Sequence, residues 1–171
     1  NINKTLLAAA ISLGMLAGCN SDNDSKAADP MVRFATFNLS FDRTAAGMLT
    51  GELALTRTEQ DALLARLAEG SLSGATETKA KNVQQIRNVA EIIQRTRPDV
   101  FLLNEFDNDG KGESTADLKA FNDNYLAHAQ HAEVTAISYP VMQNFATNTG
   151  LMSGYDLNLD GNINNGPDDA W

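Results

Sequence analysis

The sequence predicts an α/β fold, and three observations carry that reading. Met31 to Leu39 is a nearly uninterrupted apolar stretch with Val32, Phe34, Phe37 and Leu39, as a central strand would be. Lys79 to Arg95 has helical spacing: Val83, Ile86, Val89, Ala90 and Ile93 form one stripe, while Gln84, Arg87, Asn88 and Glu91 lie elsewhere on the wheel. Pro98 forces its neighbour out of helical geometry and opens a second apolar strand, Val100 to Asn104. Strand, helix and strand in that order make a crossover unit, the building block of layered α/β folds.

The remaining elements follow in order. Lys4 and the short apolar run Thr5 to Leu16 predict a targeting segment over residues 1–18, too short to span a bilayer comfortably. Leu16-Ala17-Gly18-Cys19 resembles the lipobox of bacterial lipoproteins, which implies cleavage before Cys19 and acylation of that residue; a plain secretory signal is the alternative. Cys19 is the one cysteine in the chain, so it has no internal disulfide partner. Several acyl chains would anchor the protein stably. Asn20 after the cysteine, where an Asp would otherwise signal retention, implies a cell-envelope location at the outer membrane. Residues 19–30 are a polar tether with no apolar period.

Residues 40–55 favour neither helix nor strand. Thr56 and Glu59 spell a capping box, followed by Leu63, Leu64 and Leu67 at helical spacing and closed by Gly70. Ser71 to Thr78 reads as a small-residue loop. A further helix is expected over Thr115–Ala129, capped by Ser114, with Leu118, Phe121, Tyr125 and Leu126 inward. Ala136 to Met142 reads as extended, and loop follows.

Composition bounds the function. The chain has 171 residues, 43% hydrophobic and 20% charged, which suits one domain with a core. It starts at Asn1 and stops at Trp171 after a polar loop, so it reads as the first part of a longer protein. Removing residues 1–18 takes Lys4 away and leaves 12 basic and 22 acidic residues, a net of −10. Such a surface does not attract duplex DNA through bulk charge. It is compatible with phosphate-ester hydrolysis, because a bound metal reverses the local sign.

The chemistry is expected at the strand ends. Asp99-Val100-Phe101-Leu102-Leu103-Asn104-Glu105 delivers one carboxylate, Glu105, where an apolar strand emerges, and Phe34-Ala35-Thr36-Phe37-Asn38 delivers an amide in the same manner. An acid and an amide on two such strands make a candidate half-site for a hard divalent cation; an ordinary ion pair for Glu105 and a turn cap for Asn38 are the plainer alternatives. Mg²⁺ takes oxygen ligands, keeps several waters, and commonly uses only one or two carboxylates plus substrate phosphate.

Thr36-Phe37-Asn38-Leu39, the Lys79–Arg95 helix and Pro98-Asp99-Val100-Phe101-Leu102-Leu103-Asn104-Glu105, in this order, resemble the endonuclease/exonuclease/phosphatase superfamily, the deoxyribonuclease I-like fold. The resemblance covers roughly residues 31–107. Residues 144–171, with Asn148-Thr149-Gly150 and Ser153-Gly154-Tyr155-Asp156, are similar to an insertion in a secreted bacterial branch of it. It implies that residues 31–171 are the N-terminal portion of a four-layer α/β/β/α sandwich. It implies that Glu105 binds a catalytic Mg²⁺ or Mn²⁺, and that Asn38 orients the metal site or the phosphate. The implied activity is metal-dependent hydrolysis of a phosphate ester by a nuclease-like phosphodiesterase, on a nucleic acid or a small phosphoester. The family pattern also asks for an acid/base His and for downstream Asp and Asn residues. Nothing in this chain matches them, so this chain alone is expected to be inactive.

Other motifs carry weaker chemistry. Asp156, Asn158, Asp160 and Gly161 open like a calcium loop, but Pro167 stands where the bidentate acid of an EF-hand belongs. A looser Ca²⁺ site and an Asx-rich surface loop are the two readings. A non-catalytic surface lipoprotein, binding calcium, a glycan or a partner through the 144–170 loop, is the alternative to the enzyme. Asp107 and Asp109 read as a solvated turn around Gly110, and His128 and His131 as exposed side chains.

Overall fold

β1 (Phe34–Phe41) and β2 (Val100–Phe106) form a parallel pair joined by a helical crossover. The computed structural model describes residues 31–107, 110–147, 151–163 and 166–170. The expected signal segment, Cys19 and the expected tether lie outside them. Between the strands run α1 (Met48–Leu53), α2 (Arg57–Ala68) and α3 (Gly74–Thr96); α4 (Ala116–Phe121) follows β2.

α3 is the crossover helix, and its predicted stripe is the core. Val83, Ile86, Val89, Ala90 and Ile93 are all buried against Leu39 and Phe41 of β1, Leu49 and Leu53 of α1, and Phe121, Tyr125 and Leu126. The helix starts five residues before the expected Lys79. Glu77 in its first turn complements the helix dipole and pairs with Lys81 one turn on, which extends helical structure through the small residues. Arg97 ends it in the left-handed region at φ 50, donating its N–H to the Ile93 carbonyl at 2.8 Å, and buried Pro98 prevents continuation.

The capping box on α2 forms as its residues predict. The Glu59 N–H donates to Thr56 Oγ1, and the Thr56 N–H donates to Glu59 Oε2 at 2.8 Å. α2 docks on α3 through half-buried Leu63, Leu64 and Leu67 and through the Arg87–Asp61 ion pair at 2.6 Å. Burial pushes the Asp61 carboxyl up, but the Arg87 hydrogen bond and the Arg57 charge outweigh it and hold the group below its usual value. Thr56→Ala is expected to lower stability by about 1 kcal/mol. Urea unfolding checks this, and an unchanged midpoint would show the box to be idle.

Other boundaries also differ from the sequence expectation, and β2 runs on to Phe106 rather than ending at Asn104. β1 runs from Phe34 to Phe41 rather than from Met31 to Leu39. The Thr115–Ala129 helix is instead α4 followed by a single π-turn, Asn122–Leu126, in which the Ala127 N–H reaches the Asn122 carbonyl. Ser114 Oγ does accept from the Ala116 N–H, at 3.2 Å, but Thr115 is the capping position. The π-turn brings Tyr125 and Leu126 into the same buried cluster as Phe121, and Tyr125 donates its hydroxyl to the Glu52 carbonyl at 2.7 Å. Residues 136–142 form no ladder. Asn122 accepts the Tyr139 N–H, and the Leu126 carbonyl accepts the Ile137 N–H, so turn groups take up the donors a strand partner would have used.

α3 covers one face of the sheet. On the other, Phe34, Val100 and Leu102 are exposed. The described residues thus form a mixed helix–strand unit with one sheet and one helical layer, an incomplete α/β domain measured against the four layers expected.

Candidate active site

Period-two alternation governs both strands as far as Asn38 and Asn104, and then breaks. In β2, Phe101 and Leu103 are half-buried, while Val100, Leu102 and Asn104 are exposed. The same parity would turn Glu105 into the core beside Leu103. Instead Glu105 adopts φ 53, in the left-handed region, and is exposed. Phe106 takes the inward place, its ring centroid 6.0 Å from that of Phe41 and 6.2 Å from that of Phe121. A buried lone carboxylate would be far costlier than this twist.

β1 absorbs the offset with a bulge. Asn38 pairs with Asn104 and Phe41 with Phe106, so Leu39 and Ser40 together stand opposite Glu105 alone. Ser40 is also left-handed, at φ 50. Bulges are rare in parallel pairs and are over-represented beside active sites. A left-handed non-glycine residue costs about 1–2 kcal/mol, so two of them side by side persist only because their surroundings over-determine them.

The bulge also orients Asn38. Its Oδ1 accepts the Ser40 N–H at 3.0 Å and the Ser40 hydroxyl at 3.4 Å. A backbone N–H can only donate, which identifies the oxygen and leaves Nδ2 as a donor with no partner among the described residues. Glu105 likewise forms no hydrogen bond or ion pair among the described residues. Asn104 donates from Nδ2 to Thr36 Oγ1 at 2.9 Å. The exposed sheet face is therefore divided: Phe34, Val100 and Leu102 toward its amino end, Asn38, Asn104 and Glu105 at its carboxyl end. The carboxyl ends of the strands are where open α/β sheets receive ligands.

A cavity of about 930 Å³ runs along β2, lined by Asp42, Asn104, Glu105 and Asp107 and bordered by Gln143 to Phe145; Asn38 is not among its lining residues. The bordering segment is clipped back onto residues 110–114: the Thr147 N–H donates to the Gly110 carbonyl at 3.2 Å, and Asn144 Nδ2 to the Ser114 carbonyl at 3.1 Å. Gly112, at φ 73, lies so near this segment that a Cβ would fall 2.2 Å from the Ala146 nitrogen. Sequence reasoning singled out Asn38 and Glu105 but missed Thr36, Ser40, Asp42 and Asn104. Asn104 stood in the quoted strand; its partner across the pair was not legible without the register.

The other candidates lie elsewhere. His128 and His131 are exposed, as expected, and neither lines the cavity. In the 156–162 loop, Asp156 accepts the Asp160 and Gly161 N–H groups, Asn158 accepts the Asp160 N–H, and Asp160 accepts the Asn162 N–H, at 2.8–3.1 Å. The loop's side-chain oxygens are thus engaged with its own backbone. Among the described residues, no group of three or more His, Cys, Asp and Glu side chains is placed to hold a metal, and no helix is long and apolar enough to cross a membrane.

The family model described as Endonuclease/Exonuclease/phosphatase family matches residues 35–166. The chain belongs to this family. No curated protein and no solved structure gives a match. The match takes in both Asn38 and Glu105, and extends well beyond the stretch that ends at Asp107. Members of the endonuclease/exonuclease/phosphatase family are hydrolases acting on phosphate esters, and the family is generally dependent on a divalent metal. The donor set fits such an ion in part. Glu105 offers a hard, uncommitted oxygen, and one carboxylate with waters and a substrate phosphate is an ordinary Mg²⁺ arrangement. Asn38 Oδ1 is already engaged by Ser40, whereas its Nδ2 is not.

Proposed function

We propose that this chain supplies Glu105, as a metal ligand, and Asn38, as a phosphate donor, to a divalent-metal-dependent phosphodiesterase of the nuclease-like kind whose complete domain carries the activity. The observation that carries the reading is the exposed, partnerless Glu105 carboxylate, held in a strained conformation at the carboxyl end of β2 when strand parity would have buried it. When bound, Mg²⁺ or Mn²⁺ supplies Lewis-acid polarisation of a phosphoryl oxygen and stabilises the leaving oxygen. The chain's own contributions are distinct. Glu105 holds the ion at a fixed strand end. Asn38, its oxygen spent on Ser40, presents an N–H to a phosphate oxygen without adding negative charge. This assigns Asn38 to the phosphate in preference to the metal.

The substrate is a single-stranded nucleic acid or a small phosphodiester. An acidic chain, with Asp42, Asp99 and Asp107 lining the same cavity as Glu105, gives no basic track for a duplex backbone. We further propose that the enzyme sits in the cell envelope, anchored to the outer membrane through acylated Cys19.

Chelation tests the metal requirement. With the full-length protein and bis(4-nitrophenyl) phosphate as substrate, EDTA is expected to remove hydrolysis, and Mg²⁺ or Mn²⁺ in excess to restore it. Turnover that persists in EDTA would sink the reading.

A further inference from the structure

The bulge that presents Asn38 and Glu105 is itself held by a buried charged network. The Arg43 and Glu52 side chains are 5% and 2% exposed and meet at 2.7 Å between Nε and Oε2. Replacing a buried ion pair with apolar residues often leaves a protein as stable or more so, so stability alone does not account for one.

What the pair touches does. Arg43 Nη1 donates to the Ser40 carbonyl at 3.4 Å and to the Asp42 carbonyl at 3.0 Å, and Nη2 donates to Gln85 Oε1 at 3.3 Å. Gln85 Nε2 donates to the Ser40 carbonyl at 2.8 Å and reaches the Leu39 carbonyl at 3.5 Å. The second Glu52 oxygen accepts from Asn82 Nδ2 at 2.7 Å, one helical turn from Gln85 on α3. Leu39 and Ser40 are the two bulged residues. Both of their carbonyls accept from the Gln85 side chain where the register with β2 slips. Ser40 is therefore gripped from both sides, its N–H by Asn38 and its carbonyl by Gln85 and Arg43.

We infer that Arg43, Glu52 and Gln85 are positioning residues, a buried clamp that holds the Ser40 bulge in its left-handed conformation and so sets the places of Asn38 and Glu105. None of the three reaches the cavity lining. Arg43 and Gln85 act through the backbone carbonyls of residues 39–42, and Glu52 acts through Arg43. The inference rests on the proposed roles of Asn38 and Glu105, and it adds the device that pre-organises them. Partners one shell removed from a metal site commonly change metal affinity or activity by about 10–100-fold.

Gln85→Met tests it, because that change leaves the Arg43–Glu52 pair in place while removing the donor to Ser40. Gln85→Glu is the second variant: it is isosteric and keeps an acceptor for Arg43, but it cannot donate to the carbonyl. Two readouts are taken on the protein. The first is the three-bond HN–Hα coupling of Ser40 and Glu105, which reports their φ angles without any activity. The second is the Mg²⁺ concentration giving half-maximal hydrolysis of bis(4-nitrophenyl) phosphate. The expected result in a folded variant is that both couplings move toward strand values, the half-saturating Mg²⁺ rises about tenfold, and KM for the diester rises as Asn38 loses its place. Unaltered couplings in whichever variant folds would overturn the clamp. Shifted couplings with an unmoved Mg²⁺ midpoint would overturn its role in positioning. A full-length wild-type protein with no divalent-dependent hydrolysis would remove the proposed function instead, and the couplings would still decide the clamp.

Discussion

Glu105→Ala in the full-length protein is expected to reduce divalent-dependent phosphodiester hydrolysis by about a hundredfold or more, the effect of losing several kcal/mol of charge stabilisation by a displaced metal. Folding should be almost untouched. Glu105 is exposed and makes no hydrogen bond or ion pair among the described residues, and such surface changes usually stay within about 0.5 kcal/mol. Glu105→Gly sharpens the test. Glycine relieves a left-handed conformation that costs other residues about 1–2 kcal/mol, offset by about 0.4–1 kcal/mol of added chain entropy. The glycine variant should therefore be at least as stable as wild type while inactive. Thermal unfolding beside steady-state kinetics checks both. Wild-type turnover in either variant would remove Glu105 from the site, and a stability loss above 2 kcal/mol in the glycine variant would mean the strain is absent.

Phe41→Ala should cost about 3–5 kcal/mol, the range for truncating a buried aromatic ring. Phe41 is fully buried where β1 resumes its register after the bulge. Its ring meets Phe106 at 6.0 Å and Phe121 edge-on at 5.8 Å, and the Arg43 guanidinium lies 5.7 Å from its centroid. The ring therefore joins the core to the clamp. Removing it loses packing and leaves a void beside a buried charge. Chemical denaturation measures the loss, and a cost below 1 kcal/mol would show that the core closes over the gap. Phe41→Leu should recover most of the stability, because it keeps the cavity filled.

The elements whose formation depends on local chemistry were legible in the sequence. The Thr56–Glu59 box satisfies its own backbone groups within one turn, and it forms. The α3 stripe is a periodicity of five residues on one face, and all five are buried. The two strands are apolar and separated by a helix long enough to cross over, so a parallel pair was predictable. The misses occur where a distant group competes for the backbone. Asn122 and the Leu126 carbonyl capture the donors of Tyr139 and Ile137, and they turn an expected strand into a docked loop. The expected long helix after Ser114 gives way after Phe121 to a π-turn that carries Tyr125 and Leu126 into the buried cluster.

The candidate site divides the same way. Residue type and place at a strand end were enough to single out Asn38 and Glu105, and they carry the family assignment with them. Sequence by itself determined that an acid and an amide stand at the ends of two strands flanking one amphipathic helix. It could not determine which way the acid points. Alternation along β2 sends Glu105 into the core, and only the pairing of β2 with a bulged β1, clamped from α1 and α3, turns it outward. That outcome depends on residues more than forty positions apart meeting over the same carbonyls, a coincidence in space that no local period in the chain can encode.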